Sequence, residues 1–358
     1  MSIEKQIRKV IVSNGYICID EFMRICMSAS RDSYYRSKQP LGENADFITS
    51  PEISQMFGEM IGVWCLDQWH KLGKPNPFNL VELGPGRGLL MRDLLRGTKS
   101  SQDFHDAIHI QLLEINEILI EEQKQNLEFV REKVKWIQAL HELSDIPSII
   151  IANEFFDALP IKQYIKVKKE WKEVVLVIDP KDGRLKFDRM ALMANIMTSQ
   201  LALDHKEAGD GAVIEESKAS IDIIHSIAEH IIQFSGAALI VDYGYDIGEN
   251  ERLKSQYHST LQAVKNHQFC SILETLGSAD ISAHVDFTQL RIAAGARMTR
   301  ASSTVGQGDF LRSLGIELRM RMLQRPNPDL SDILQKQYER LTSKDQMGNL
   351  FKVMTITQ

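Results

Sequence analysis

The chain has 358 residues but only four cysteines, and none of them forms a C-x-x-C pair. Cys18, Cys26, Cys65 and Cys270 therefore suggest neither a disulfide framework nor a zinc site, and a reducing compartment fits. None of the ten histidines lies in an H-E-x-x-H motif, so no metal is expected. No apolar run approaches the roughly 20 residues that cross a bilayer, so no membrane insertion is expected. Positive charge is short as well. The 42 Lys and Arg against 48 Asp and Glu leave a net charge of −6, which argues against nucleic-acid binding through a broad basic face. Mild acidity suits a basic substrate instead. Repeats and low-complexity tracts are missing. The first residues do not read as a signal peptide: Ile3, Ile7, Val10 and Ile11 recur at helical spacing, and Glu4 is acidic where a transit peptide avoids acids. A cytoplasmic location is the simplest expectation.

What remains is ordinary for a soluble globular protein, with 43% hydrophobic and 25% charged residues, enough for one large or two modest domains. The first sixty or so residues read as helical, with Asp20 able to cap a helix through Phe22, Ile25 and Met27. Ser50-Pro51-Glu52 predicts the start of a helix that continues to Trp69. From Phe78 onward strands and helices alternate. Strands are expected at 79–83, 108–113, 134–137, 146–152 and 237–241, and a last one at 350–356. This predicts an α/β fold with a parallel sheet. Residues 162–178 read as an antiparallel hairpin, and the polar stretch 180–215 as a possible cover for the site. The expected organisation is a helical N-terminal segment at 1–77 and a core at 78–358, with a lid-like insertion at about 160–235.

Residues 80–96 read LVELGPGRGLLMRDLLR. An apolar strand ends at Glu82, then Gly84, Pro85, Gly86 and Gly88 form a loop, and a helical pattern follows. Glycine permits positive φ and close approach of a ligand, and a helix N-terminus offers unpaired N–H groups. A dinucleotide fingerprint needs a third small residue where Leu89 stands, so an NAD oxidoreductase is disfavoured. The E-x-G-x-G-x-G form resembles the loop of class I S-adenosylmethionine (SAM) methyltransferases, in which the acid faces the methionine end of the cofactor. A glycine-rich helix cap without a ligand is the plainer alternative.

Three further clusters carry chemistry. Glu114 ends the second strand, where an acid bonds ribose hydroxyls in nucleotide-binding α/β units. Asn153-Glu154-Phe-Phe-Asp157 follows the most apolar strand and sits at its carboxyl end. Paired acids there suit a guanidinium, although Asn153 and Asp157 could simply cap a turn. His284 and Asp286 lie in a later cluster. A place at the site and a plainer role, Asp286 as a helix cap and His284 as an interior histidine, stand equally. Thr49-Ser50 could line a cleft or merely begin a helix.

These motifs together resemble the MidA-type proteins, a family of SAM-dependent methyltransferases that includes a mitochondrial complex I assembly factor with protein arginine methyltransferase activity. The likeness rests on DFITSPEIS at 46–54, ELGPGRGLLMRDLLR at 82–96, NEFFDALPIKQY at 153–164, DYGY at 242–245, TLQAVKNH at 260–267, ADISAHVDF at 279–287, QGDFLRSLGI at 307–316 and MGNLFKV at 347–353. It implies a class I methyltransferase (Rossmann-like) fold and SAM as cofactor, held by Glu82, Gly84, Pro85, Gly86, Gly88, Glu114 and Asn153. It implies an acceptor site drawn from Asn153, Glu154 and Asp157. The implied partner is a protein substrate of the respiratory NADH dehydrogenase type, with a homodimer among the expected assemblies. The chain departs from the family pattern at His258-Ser259 and at Gly277–Asp280, which bears on the substrate more than on SAM. A non-catalytic SAM-binding chaperone, or an N-methyltransferase for another acceptor, are the competing readings.

Overall fold

The structure, a computed structural model, describes residues 1–37, 48–192, 208–246 and 258–358. The chain divides into two compact units. The first comprises Met1–Pro40, Ala158–Ser220 and Ile247–His284, and the second Leu41–Asp157, Ile221–Asp246 and Val285–Gln358. This partition differs from the expected split at residue 77. The helix Gln55–Lys71 packs on Leu89–Gly97 and so belongs with the sheet. Gly58 and Gly62, one turn apart, permit that contact: a Cβ on them would lie 2.7 Å from the Asp93 Cβ and 2.8 Å from the Leu94 carbonyl oxygen.

In the second unit six strands matter for the site: β1 (Phe78–Leu83), β2 (Ile108–Leu113), β3 (Val134–Ile137), β4 (Ser148–Asn153), β5 (Gly236–Tyr245) and β6 (Phe351–Thr357). They lie in the order β6-β5-β4-β1-β2-β3. All neighbours are parallel except β6, which runs antiparallel to β5. The short pieces Arg300–Ala301 and Val305–Gly306 extend the sheet beyond β6, and Val285–Asp286 pairs with the end of β5. The strands β1 and β4 are buried along their whole length, as expected where helices cover both faces of a parallel sheet. Order reverses between β1 and β4, because β2 and β3 follow on one side and β5 on the other. Ligands of open α/β sheets bind at the carboxyl ends of strands at such a switch point.

The first unit uses the N-terminal segment differently. The helix Ile3–Asn14 buries Ile3, Ile7 and Ile11, and Gly15 ends it in the left-handed region. The second helix is Ile19–Met27, whose N-cap is Cys18 and not Asp20 as expected; Asp20 lies in its first turn, two residues after the cap. Ile17–Cys18, Glu170–Ile178, Lys162–Val167 and Val213–Glu216 form an antiparallel sheet. Leu185–Ala191 adds to Glu170–Ile178, so part of the stretch expected to act as a cover is a sheet strand; residues 193–207 of that stretch lie outside the described residues. Ile7, Phe22, Met23, Leu176 and Ile281 share this unit's core. No helix among the described residues is long and apolar enough to cross a membrane.

Candidate active site

The glycine loop leaves β1 at Leu83. Gly84, Gly86 and Gly88 all take positive φ, at 60°, 54° and 77°. A side chain on Gly84 would place its Cβ 2.9 Å from Phe155 Cδ2, so Gly84 also makes room for the loop after β4. Pro85 accepts the Gly88 N–H at 2.8 Å, which closes the turn. Gly88 is the N-cap of Leu89–Gly97 and supplies no side-chain cap, so the first N–H groups of that helix face the loop.

Glu82 is 2% exposed at the end of β1, and its Oε2 is buried without a hydrogen-bond partner. Burial pushes its carboxyl up to about 8, opposed by the Met91 N–H and aided by the nearby Glu114 charge. Glu114 is buried as well. Its Oε1 accepts the N–H groups of Ile115 and Asn116, each at 2.8 Å. Burial raises its pKa against the pull of those N–H groups.

Sequence reasoning missed Gln123. This fully buried residue sits on the helix Glu117–Asn126 and donates to the Gly86 carbonyl at 2.6 Å and to Glu114 Oε2 at 3.2 Å. Its own oxygen accepts the Trp136 indole N–H at 2.7 Å. It therefore ties the glycine loop to the ribose-type acid. The only available signal was a polar residue on the inward face of a helix nine positions after Glu114. Arg87 makes a second tie, with Nε 2.5 Å from Glu122 and a guanidinium nitrogen 3.6 Å from Glu52.

Across the switch point lies the loop after β4. Glu154 has φ 49°, unusual for a residue with a side chain, so the turn is held by its surroundings. Its Oε1 accepts the Ser50 N–H at 2.8 Å and the Asn153 amide at 3.2 Å. Burial pushes Glu154 up to about 7, with the Ser50 N–H opposing and Asp157 adding to the rise. Asn153 Oδ1 is buried and has no hydrogen-bond partner.

Two residues of β5 complete this side. Asp242 Oδ2 accepts the N–H groups of Phe155, Phe156 and Asp157 at 3.2, 2.9 and 3.3 Å. The Tyr243 hydroxyl donates to Asp157 Oδ2 at 2.6 Å. Burial raises the Asp242 carboxyl well above its ordinary value, and the Asp157 and Glu154 charges add to it. The three carboxyls thus oppose one another's ionisation. The DYGY motif marked this strand end without revealing its role.

Of the two readings of Thr49-Ser50 the structure shows the helix start, and Ser50 is 0% exposed where a cleft lining would be accessible. The N-cap is Thr49, whose capping box includes Glu52, and Pro51 sits in the first turn. This short helix ends at Ser54, where φ is −160°, and a second begins at Gln55; the expected single helix is thus two. Ser50 is the first residue of the first of these helices, so its N–H has no acceptor within the helix and is available to Glu154. Asp286 is placed as the N-cap of Phe287–Gly295, accepting from the N–H groups of Thr288 and Gln289. His284 belongs to the first unit, where its N–H donates to Thr260 Oγ1 at 2.9 Å. Burial, and then His258, lower its pKa.

The donor set fits SAM. Glu82 Oε2 and Asn153 Oδ1 are buried acceptors lacking a donor, as an ammonium group requires. Glu114 adds a second buried carboxyl just past the end of β2, and Gly84 in the turn is exposed.

Comparison with known proteins agrees. The model of a family of S-adenosyl-L-methionine-dependent methyltransferases matches residues 60–304. The chain is similar to protein arginine methyltransferase NDUFAF7, mitochondrial, of Xenopus laevis, at 35% identity over 97% of this chain and 82% of that protein. Its Drosophila melanogaster homologue is 34% identical over 99% of this chain and 84% of its own, and the Homo sapiens protein 31% identical over 97% and 81%. A Burkholderia thailandensis protein crystallised with S-adenosyl-homocysteine has the same fold, with TM-score 0.88 at 23% identity over 99% of this chain and 92% of that one. The sheet order, the glycine loop and a match over more than half the sequence lead to one conclusion: this chain belongs to the family of SAM-dependent methyltransferases.

Proposed function

We propose that the protein methylates an arginine side chain of a protein substrate. One observation carries this reading: at the switch point the Glu154 carboxyl is fixed by the Ser50 N–H and the Asn153 amide, within electrostatic reach of Asp157. A fixed pair of acids suits a guanidinium, a planar fork of N–H donors. The names of the relatives support arginine as the acceptor. When bound, SAM supplies a methyl group on a positively charged sulfur. In this reading Glu82 and Asn153 hold its ammonium end, Glu114 its ribose and the glycine loop its carboxylate.

Free arginine is protonated, with a pKa above about 12. Glu154 draws the positive charge toward one guanidinium nitrogen and leaves another more nucleophilic. On methylation the nitrogen loses a proton, which Glu154 can take, since a carboxyl at about 7 exchanges protons near neutral pH. Alignment supplies most of the rate, with reacting atoms roughly 3–3.5 Å apart. His284 and Asp286 are not assigned roles here, because Asp286 Oδ1 already accepts two helix N–H groups and Oδ2 accepts the Gln289 side-chain amide.

A subunit of the respiratory NADH dehydrogenase type is the protein partner we favour, on the family resemblance. Four free cysteines suit a reducing compartment, the cytoplasm in our reading. The test combines labelled SAM, respiratory-subunit peptides and mass spectrometry. Glu154→Gln should lower transfer by more than about tenfold, the scale of a lost charged contact, while SAM affinity stays nearly unchanged. Unaltered turnover would remove Glu154 from the role. SAM binding without transfer to any acceptor would favour a non-catalytic chaperone. Label on free amines or amides, but not on arginine peptides, would favour another acceptor class.

A further inference from the structure

Asp242 and Tyr243 are adjacent on β5, yet they serve the loop after β4, some 85 residues earlier in the chain. The three N–H groups of Phe155, Phe156 and Asp157 converge on one oxygen, Asp242 Oδ2. The other oxygen accepts the N–H of Tyr243 at 2.9 Å. Asp242 is 0% exposed, so its four backbone bonds replace water entirely. They fix the segment directly after Glu154, whose φ of 49° needs such support. The Glu154 N–H is held in turn by the Val241 carbonyl at 2.9 Å. Residues 241 and 242 thus clamp the backbone of 154–157 from one side.

Tyr243 acts on side chains instead. Its hydroxyl reaches Asp157 Oδ2, and its ring meets Phe351 of β6 edge-on at 5.6 Å, which fixes where the hydroxyl points. Asp157 therefore has one oxygen engaged by a neutral donor.

We propose that Asp242 and Tyr243 are positioning residues of the acceptor site: Asp242 holds the 154–157 backbone, and Tyr243 keeps the Asp157 carboxylate turned toward the acceptor. The assignment rests on the acceptor-site reading above. Neither residue need touch substrate. Asp242 acts through the amides of the loop, and Tyr243 through Asp157. The ionisable groups packed around this contact are Glu154 and Asp157 on the loop and Asp242 on β5.

Amide exchange tests the first half without any acceptor. In the wild-type protein the amides of 155–157 should exchange slowly, although they end on a side chain and not on a strand carbonyl. Asp242→Asn puts an NH2 group, which cannot accept, in place of one of the two oxygens that accept these N–H groups. It should speed exchange at these amides by at least about tenfold. Fast exchange in the wild type would overturn the clamp even if Asp242→Asn fails to fold, and equal exchange in the two proteins would do so as well.

Tyr243→Phe tests the second half. Binding of S-adenosyl-homocysteine should stay within about twofold, and exchange of 155–157 should be unchanged. A donor to a carboxylate favours its ionised form, so its loss should move the acid limb of the pH–activity profile upward. An unmoved limb would refute the role of Tyr243. These results separate the two readings: a wild-type enzyme that labels an acceptor other than arginine breaks the proposed substrate, whereas unmoved amides and an unmoved acid limb break only the positioning pair.

Discussion

The two sides of the switch point are built by different means. On the cofactor side, partners are near in sequence: Gln123 reaches Gly86 across 37 residues, and Arg87 reaches Glu122 across 35. On the acceptor side, Ser50 meets Glu154 across 104 residues, and Asp242 meets Phe156 across 86. The cofactor side is thus one βαβ neighbourhood, with local turns and helix caps supplying most donors. The acceptor side is assembled only when three distant pieces of chain meet. A cofactor motif can therefore be read from a short stretch, while the site for the second substrate depends on the finished fold.

That contrast can be broken most severely at Gly84, which belongs to the cofactor loop and also makes room for Phe155 of the acceptor loop. Gly84→Ala adds strain at φ 60° and sets a Cβ 2.9 Å from Phe155. It should weaken SAM binding by on the order of a hundredfold, consistent with strain of about 1–3 kcal/mol, and it should disturb the acceptor loop as well. Calorimetric titration with S-adenosyl-homocysteine checks the first effect; wild-type affinity would show that the loop can relax.

A narrower cut is Gln123→Leu, which removes the donor to Gly86 and Glu114 and leaves the Trp136 N–H without its acceptor. SAM binding should weaken by about tenfold, the cost of a buried unsatisfied group, while the KM for the acceptor stays the same. A change in acceptor KM alone would contradict the division between the sides.

The smallest effect is on stability. Glu82 at about 8 and Glu154 at about 7 stand above their ordinary 4.5. The native state therefore prefers their protonated forms. Their stabilising contribution is complete below about pH 4.5 and is lost as pH rises to about 8. Melting temperature of the ligand-free protein should fall over that window. Glu154→Gln should flatten the decline near pH 7, measured by calorimetry across buffers; an unchanged slope would mean that Glu154 is already ionised in the native state.

The sequence made the cofactor side legible because its logic is local: an apolar strand, an acid, glycines at alternate positions and a helix. The same held for β4, whose unbroken apolar run marked it as central. Other features escaped for physical reasons. The break at Ser54 leaves no trace in apolar spacing, because Ile53 and Phe57 stay inward on both sides of it. Asp242 stands in the sequence only as part of DYGY; its service to Phe155, Phe156 and Asp157 depends on β5 lying beside β4, a pairing that no local pattern encodes. Asp286 was open between two roles, and only the helix beneath it shows its oxygens engaged. The domain boundaries were least legible, since each unit gathers three separated stretches.

The central claim is that one site holds SAM beside a carboxylate pair built for a guanidinium. It is tested most directly by incubating the purified protein with methyl-labelled SAM and an extract of cells lacking it, then hydrolysing the labelled protein to amino acids. The account predicts label in methylarginine, lost with Glu154→Gln. Label in any other amino acid, or in small molecules alone, would contradict it.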